Sequence, residues 1–277
     1  MSRAISSLER NSCYKSDDYI AVLLLPTFFR LLIYIPFFRT LFSRKIAPKG
    51  IYAYVVARTK YIDSVFIHAL DQGFGQIVIF GAGFDTRALR FRHATGNAKI
   101  FELDAPVTQS AKINQYHRRG LDIPPNLIFV PIDFEKESFS SKLEEAGFDR
   151  HTRSFFILEG VLMYLQPESA TETLGTIHAL AKPGSEIVFD YIHSSILLKE
   201  SLCDEEKEIV ETVSKAGEQW HFGIGKGEIE NFLSNSGFEL VEHLDSHRLE
   251  QLYFKDSNGL IIDKVNSTHS LVRARKV

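Results

Sequence analysis

A chain of 277 residues, 44% of them hydrophobic, is long enough for one large core or a core with a cap. Its net charge of −3 offers no basic footprint, so nucleic acid is not an expected partner. The two cysteines, Cys13 and Cys203, lack metal or redox spacing and read as free thiols of a reducing compartment, the cytoplasm.

Residues 1–18 are polar and read as a loose arm rather than a cleavable leader. Tyr19 to Phe42, YIAVLLLPTFFRLLIYIPFFRTLF, is then almost wholly apolar over a length that spans a bilayer. Arg30 near its centre opposes a span, and Pro26 and Pro36 divide it into short pieces. Arg30, Arg39, Arg44 and Lys45 suit an interface better. The readings rank as a helical lid first, a peripheral membrane contact through 19–42 second and a true span third. Ordinary core packing is the plain structural account.

Ile51 to Gly73 reads as a helix, with Val55, Ile62, Val65, Phe66 and Ala69 at helical spacing. Arg58 and Asp63 on it read as solvated, as most helix charges are. The organising stretch follows: QIVIFGAGFDTRALR, Gln76 to Arg90. An apolar run ends in Gly81-Ala82-Gly83, and a helix is expected from near Thr86. Strand, glycine turn and helix let a nucleotide-like ligand approach the backbone where Cβ atoms are missing. The pattern lacks a third glycine, so it suits a nucleoside-sized ligand at least as well as a pyrophosphate. Such a turn also serves merely to reverse the chain.

Lys99 to Asp104 is a short strand ending in acid, with Asp104 about 20 residues past the turn, where a carboxylate meets ribose hydroxyls. Glu102 and Asp104 would equally cap a helix from Pro106 to Arg119. Leu127 to Asp133, Ser154 to Gly160 and Glu186 to Asp190 read as further strands. Helices at Ser138 to Ala146 and Pro167 to Ala181 alternate with them, which implies βαβ units and a parallel sheet. Asp104, Asp133, Glu159 and Asp190 thus end four strands at the edge where such sheets bind ligands. Like charges there repel, and a ligand rich in donors would relieve them. S-adenosylmethionine offers ribose hydroxyls, an exocyclic amine and an ammonium.

Ser194 to Gly227 breaks the rhythm with an acidic helical piece, Leu198 to Ala216, and a segment around Trp220, and reads as a second part of a cap. Lys226 to Ser236 reads as a helix, Phe238 to Leu244 and Ser267 to Arg275 as the last strands, and Phe254 to Asn266 as a turn-containing connection. No repeat is evident.

ARTKYID, VIFGAGFDTRALR, FELDAP, the strand ending Ile132-Asp133-Phe134, and LEGVLMYL together resemble the leucine carboxyl methyltransferase-like family of class I S-adenosylmethionine-dependent methyltransferases, in its bacterial-type small-molecule branch. The resemblance runs from about Arg58 to Asp190. It implies an α/β fold: a Rossmann-like sheet of seven strands, mostly parallel with an antiparallel last strand, plus a helical lid. The division is then an arm and lid (1–50), a cofactor core (51–193), a cap insertion (194–227) and the rest of the core (228–277). It implies S-adenosylmethionine as cofactor, with Arg58 on the methionine carboxylate, which overrides its solvated reading. Gly81, Ala82 and Gly83 would line the methionine and ribose. Asp104 would hold the ribose, Asp133 and the Phe134 backbone the adenine, and Glu159 the α-amino group. Tyr164 would border the transfer site.

The expected reaction is O-methylation of a small, apolar carboxylic acid or hydroxyl compound. The alternatives are methylation of a protein C-terminal carboxylate, an NAD-type dehydrogenase, which the missing third glycine opposes, and a non-catalytic membrane-surface module. A carboxylate acceptor needs no base. A hydroxyl acceptor gains from one, and His193, past the fifth strand, and His221, in the cap, are the candidates, each otherwise an ordinary histidine. Oligomeric state is left open.

Overall fold

The computed structural model describes all residues but Glu135, 199–203 and Ala216, and beyond those the side chains of all but Arg44, Asp204 and Glu205. The expected strands form one seven-stranded sheet: β1 (Gln76–Phe80), β2 (Lys99–Asp104), β3 (Leu127–Pro131), β4 (Ser154–Leu158), β5 (Glu186–Ile192), β6 (Phe238–Leu244) and β7 (His269–Lys276). Their order is β3-β2-β1-β4-β5-β7-β6. The first five are parallel, and β7 runs antiparallel to both of its neighbours. Every residue of β1, β4 and β5 is buried. That is why these strands are apolar without alternation: helices must cover both faces of a parallel sheet.

One face packs Ile77, Ile79, Phe155 and Ile157 against the long helix that precedes β1. The other packs Val78, Phe80, Phe156 and Leu158 against Leu174 and Ile177. Strand order reverses between β1 and β4, so the crevice at their carboxyl ends is the ligand position of an open α/β sheet.

The N-terminal segment corrects one expectation. Residues 1–18 are not a loose arm. They contain helix α1 (Ser2–Ser7), whose Ala4 and Ile5 belong to the core, and the fully buried Asp18. The apolar stretch is cut where its prolines require: α2 (Ile20–Leu24), α3 (Thr27–Leu32) after Pro26, and α4 (Pro36–Leu41) with Pro36 in its first turn. A π-helical turn, Phe42–Ile46, follows. Ile20, Val22, Leu24 and Ile33 pack into the same core as Tyr52, Ala53 and Tyr54, at the start of helix α5 (Ile51–Asp71). No helix among the described residues is long and apolar enough to cross a membrane, so the spanning reading is dropped.

Helix α6 (Arg87–Arg90) is a single turn, shorter than expected. Helices α7 (Pro106–Arg118), α8 (Phe139–Glu145) and α9 (Pro167–Leu180) follow the expected bounds closely. The acidic piece expected over 198–216 falls partly outside the described residues, as does Cys203; around it lie α10 (Ser194–Leu198) and α11 (Asp204–Lys215). Helix α12 (Ile229–Asn235) precedes β6. Helix α13 (Ser246–Tyr253) was not foreseen; the Asp245 carboxylate caps it by accepting from the Arg248 N–H at 2.7 Å.

Candidate active site

The loop after β1 has two left-handed residues, Gly81 (φ 54°) and Gly83 (φ 49°), a backbone shape that other residues adopt only with strain. The Gly83 N–H donates to Asp104 Oδ2, and the Ala105 N–H donates to Asp104 Oδ1 at 2.7 Å. Asp104 thereby ties the end of β2 to the glycine turn. It stays half-buried, with acceptor capacity to spare.

Beside this loop lies a cluster of arginines and carboxylates. Arg87, fully buried, reaches three acids: Asp85, Asp63 (Nε to Oδ1, 2.8 Å) and Glu159 (Nη2 to Oε2, 2.8 Å). Arg90 holds Asp63 through two nitrogens at 2.7 and 2.8 Å, and its Nε donates to Thr86 Oγ1 at 2.8 Å. The Thr86 hydroxyl donates to Asp18 at 2.6 Å, and Arg3 lies 3.5 Å from the same carboxylate while donating to the Phe84 carbonyl at 2.7 Å. Arg58 lies 3.1 Å from Glu159 and donates to Asp190 Oδ2 at 2.6 Å. Asp190 also accepts from the Tyr54 hydroxyl at 2.8 Å and from the Gly160 N–H at 2.5 Å. Burial pushes the Asp85 carboxyl up, but Arg87, Lys112 and Arg3 together outweigh it and hold the group at about 2. Glu159 behaves alike: burial opposes ionisation, and Arg87 with Arg58 holds it below the ordinary value.

Two expectations change here. Asp63, like Arg58, is not solvated: α5 lays both over the carboxyl edge of the sheet, where each meets a buried partner. Nor do all four acids await a ligand, and Asp190 does not end its strand, since β5 runs on to Ile192. Asp190 and Glu159 are compensated by the protein's own arginines, because a buried charge must be paired. Asp104 is half-buried, and Asp133, beyond the end of β3, is 39% exposed and 2.8 Å from Lys136. Phe134 beside it is exposed. Arg58 Nη2 has no acceptor among the described residues.

Tyr164 ends the 3-10 turn Leu162–Tyr164 after β4 and donates to Glu218 at 2.7 Å; burial and that carboxylate push its hydroxyl up to about 12. The His221 N–H donates to the Met163 carbonyl at 2.8 Å, so the segment around Trp220 crosses this turn. His193, after β5, has its ring Nε2 3.4 Å from Ser270 Oγ and its Nδ1 buried without a partner; burial lowers its pKa. His269, which carried no sequence signal beyond lying in an expected strand, stacks on Tyr54 at 4.5 Å and meets Trp220 edge-on at 5.4 Å. His193 Nδ1, Trp220 Nε1, Thr268 Oγ1 and His269 Nδ1 are all buried without hydrogen-bond partners, on the segment around Trp220 and at the adjoining ends of β5 and β7. Buried polar atoms are seldom left so, and together they make a wall suited to a polar group of a ligand.

Burial lowers His269 to about 4 and raises Glu102 to about 7, the latter despite Lys112 Nζ at 2.6 Å. The two act oppositely on stability. The His269 contribution is present above pH 6.5 and is lost as pH falls towards 4. That of Glu102 is present below pH 4.5 and is lost as pH rises through 7. Each amounts to roughly 3 kcal/mol. In urea unfolding between about pH 4.5 and 6.5, Glu102→Gln should therefore lose roughly 3 kcal/mol more than the wild type as pH falls, since the buried histidines are common to both. Parallel curves for the two proteins would remove Glu102 from the account.

Two crystal structures share the architecture. A "putative methyltransferase" from Thermobifida fusca superposes with a TM-score of 0.63 at 17% identity, covering 87% of this chain and 89% of that one. A DUF574 family protein from Streptomyces avermitilis gives 0.59 at 13% identity, covering 80% and 83%. With the strand order and the antiparallel β7, they define the class I methyltransferase fold. Residues 1–178 match the family described as leucine carboxyl methyltransferase, and the chain belongs to that family. It is 33% identical over 201 residues to the "Putative S-adenosyl-L-methionine-dependent methyltransferase YktD" of Bacillus subtilis, covering 73% of this chain and 66% of the relative. A relative of the same description from Mycobacterium sp. (strain JLS) is 34% identical over 171 residues, covering 61% and 53%. The chain thus spans between half and two thirds of the length of these relatives.

Proposed function

We propose that the chain binds S-adenosylmethionine at the carboxyl ends of β1, β2 and β4 and methylates an oxygen of a small, apolar carboxylic acid or alcohol. The observation that carries this reading is the glycine turn at the strand-order reversal, fixed by a half-buried Asp104 and flanked by the Arg58–Glu159–Asp190 group. The residues fit the cofactor on their own chemistry. Asp104 has lone pairs left for ribose hydroxyls, and Arg58 has a free nitrogen for a carboxylate. The relatives' names point to the same cofactor.

In this reading the glycine turn admits the ribose and methionine, Asp133 and the Phe134 backbone hold the adenine, and Glu159 faces the α-amino group. When bound, the cofactor supplies an electrophilic sulfonium methyl. The chain's part is to align the acceptor and exclude water. Tyr164, Trp220 and His269 wall the acceptor side. His193, with a free and buried Nδ1, is better placed than His221 to take a hydroxyl proton. The family's description favours a carboxylate acceptor, on a small molecule or a protein C-terminus, and then neither histidine is needed.

Calorimetric titration with S-adenosylhomocysteine tests the cofactor site. Asp104→Ala should weaken binding by ~1–3 kcal/mol, about five- to 150-fold in Kd. Equal affinities for variant and wild type would take Asp104 out of the site. Alkaline release of labelled methanol from the product then distinguishes an ester from an ether.

A further inference from the structure

Helices α3 and α4 bury no residue, although both are apolar. They are near copies of one another: Phe28-Phe29-Arg30-Leu31-Leu32 and Phe37-Phe38-Arg39-Thr40-Leu41, a short repeat that the sequence reading overlooked. Ile33 between them is fully buried and pins the pair to the body, and the partly buried Phe38 and Phe42 help. The remaining large side chains face outward, with Phe37 75% and Phe28 67% exposed, and Leu31, Tyr34, Ile35 and Ile46 each at least half exposed. A soluble monomer seldom leaves a contiguous apolar face of this kind without a partner.

Charge selects the partner. No aspartate or glutamate occurs between Asp18 and Asp63, whereas Arg30, Arg39, Arg44 and Lys45 lie in or just after the two helices. A face that is apolar and cationic, with acids (Glu9 and Asp263) only where Thr40 and Ser43 border the body, matches a bilayer surface carrying anionic headgroups, and six-residue helices can lie in such an interface but cannot span it. Position agrees. Helix α5 enters β1 through a short turn, so its N-terminal half stands over the carboxyl edge of the sheet, where Tyr54 and Arg58 reach Asp190. Ile51 lies about 10 Å further out along the helix, and the apolar segment leads into it. The exposed face and the candidate crevice are therefore at the same end of the molecule.

We propose that residues 27–46 dock the protein on an anionic lipid bilayer, with the Phe28 and Phe37 faces inserted below the headgroups and Arg30 and Lys45 among the phosphates. This goes beyond the methyl-transfer reading and stands without it.

Flotation of the full chain with vesicles of phosphatidylcholine alone, or of phosphatidylcholine with phosphatidylglycerol, tests the proposal. The wild type should float with the mixed vesicles, several-fold less at high salt, and poorly with phosphatidylcholine alone. Phe28→Ser/Phe37→Ser should weaken binding roughly tenfold or more, and Arg30→Gln by a smaller factor. Both changes lie on an exposed face, so the circular dichroism spectrum and S-adenosylhomocysteine affinity should be unchanged. Three results would overturn the proposal: a wild type that floats with neither vesicle, a double variant that floats like the wild type, or a lipid-free dimer that the double variant splits and mixed vesicles do not. The last would make the face a contact between copies of the chain.

Discussion

Arg87→Ala is expected to cost about 3–5 kcal/mol of stability at neutral pH, a fall in Tm of roughly 6–15 °C. The reason is asymmetry of loss. Asp63 keeps Arg90, and Glu159 keeps Arg58, but Asp85 has no second ion pair among the described residues. With the guanidinium gone, only the charges of Lys112 and Arg3 still oppose burial, and the Asp85 carboxyl rises from its resting value of about 2. In the wild type this group's contribution is present above pH 3.8 and is lost as pH falls towards 2. In the variant that contribution shrinks, because the carboxyl has lost its nearest cation. The deficit should therefore shrink on acidification. Urea unfolding at two pH values measures it, and a deficit below about 1 kcal/mol at neutral pH would show that the three acids find other compensation.

Arg58→Ala should combine a stability loss of about 3 kcal/mol with a ten- to hundredfold weaker affinity for S-adenosylhomocysteine. The first effect comes from Asp190, fully buried and left with the Tyr54 hydroxyl and the Gly160 N–H alone. The second comes from the nitrogen left for a carboxylate. Arg58→Lys separates them, since it restores a charge without the planar fork; it should recover more stability than affinity. Titration at low temperature, where both variants stay folded, decides the matter. An unchanged Kd in Arg58→Ala would make Arg58 a purely internal counter-ion.

The sheet was readable from the chain because parallel strands covered on both faces must be apolar throughout. QIVIF, SFFIL and EIVFDYI stand out against any background, and the glycine after the first and the acid and glycine after the second mark the carboxyl edge. Asp104 and the glycine turn were legible for the same reason: both belong to one local strand–turn–strand pattern. The arginine cluster was not. Whether Asp63 or Arg87 is solvated depends on partners far away in sequence. Asp18, 68 positions from Thr86, is the extreme case, and a lone charge on a helix carries no mark of such a partner. Helix α1 was missed because SRAISS is too short and too polar to show a period, although two of its residues are core. His269 was missed because an imidazole at a strand's start looks like any other. Its importance comes from Tyr54 and Trp220, brought to it from opposite ends of the fold.

The place of β7 between β5 and β6 bears on biosynthesis. All seven residues of β5 are buried and hydrogen-bonded across to His269–Arg275, so the outer edge of β5 stays open until those late residues leave the ribosome. A nascent chain halted before residue 269 would present an uncapped, wholly apolar strand, the kind of edge that recruits other chains. Closure of that edge thus waits on residues that come far later in the chain than β5 itself.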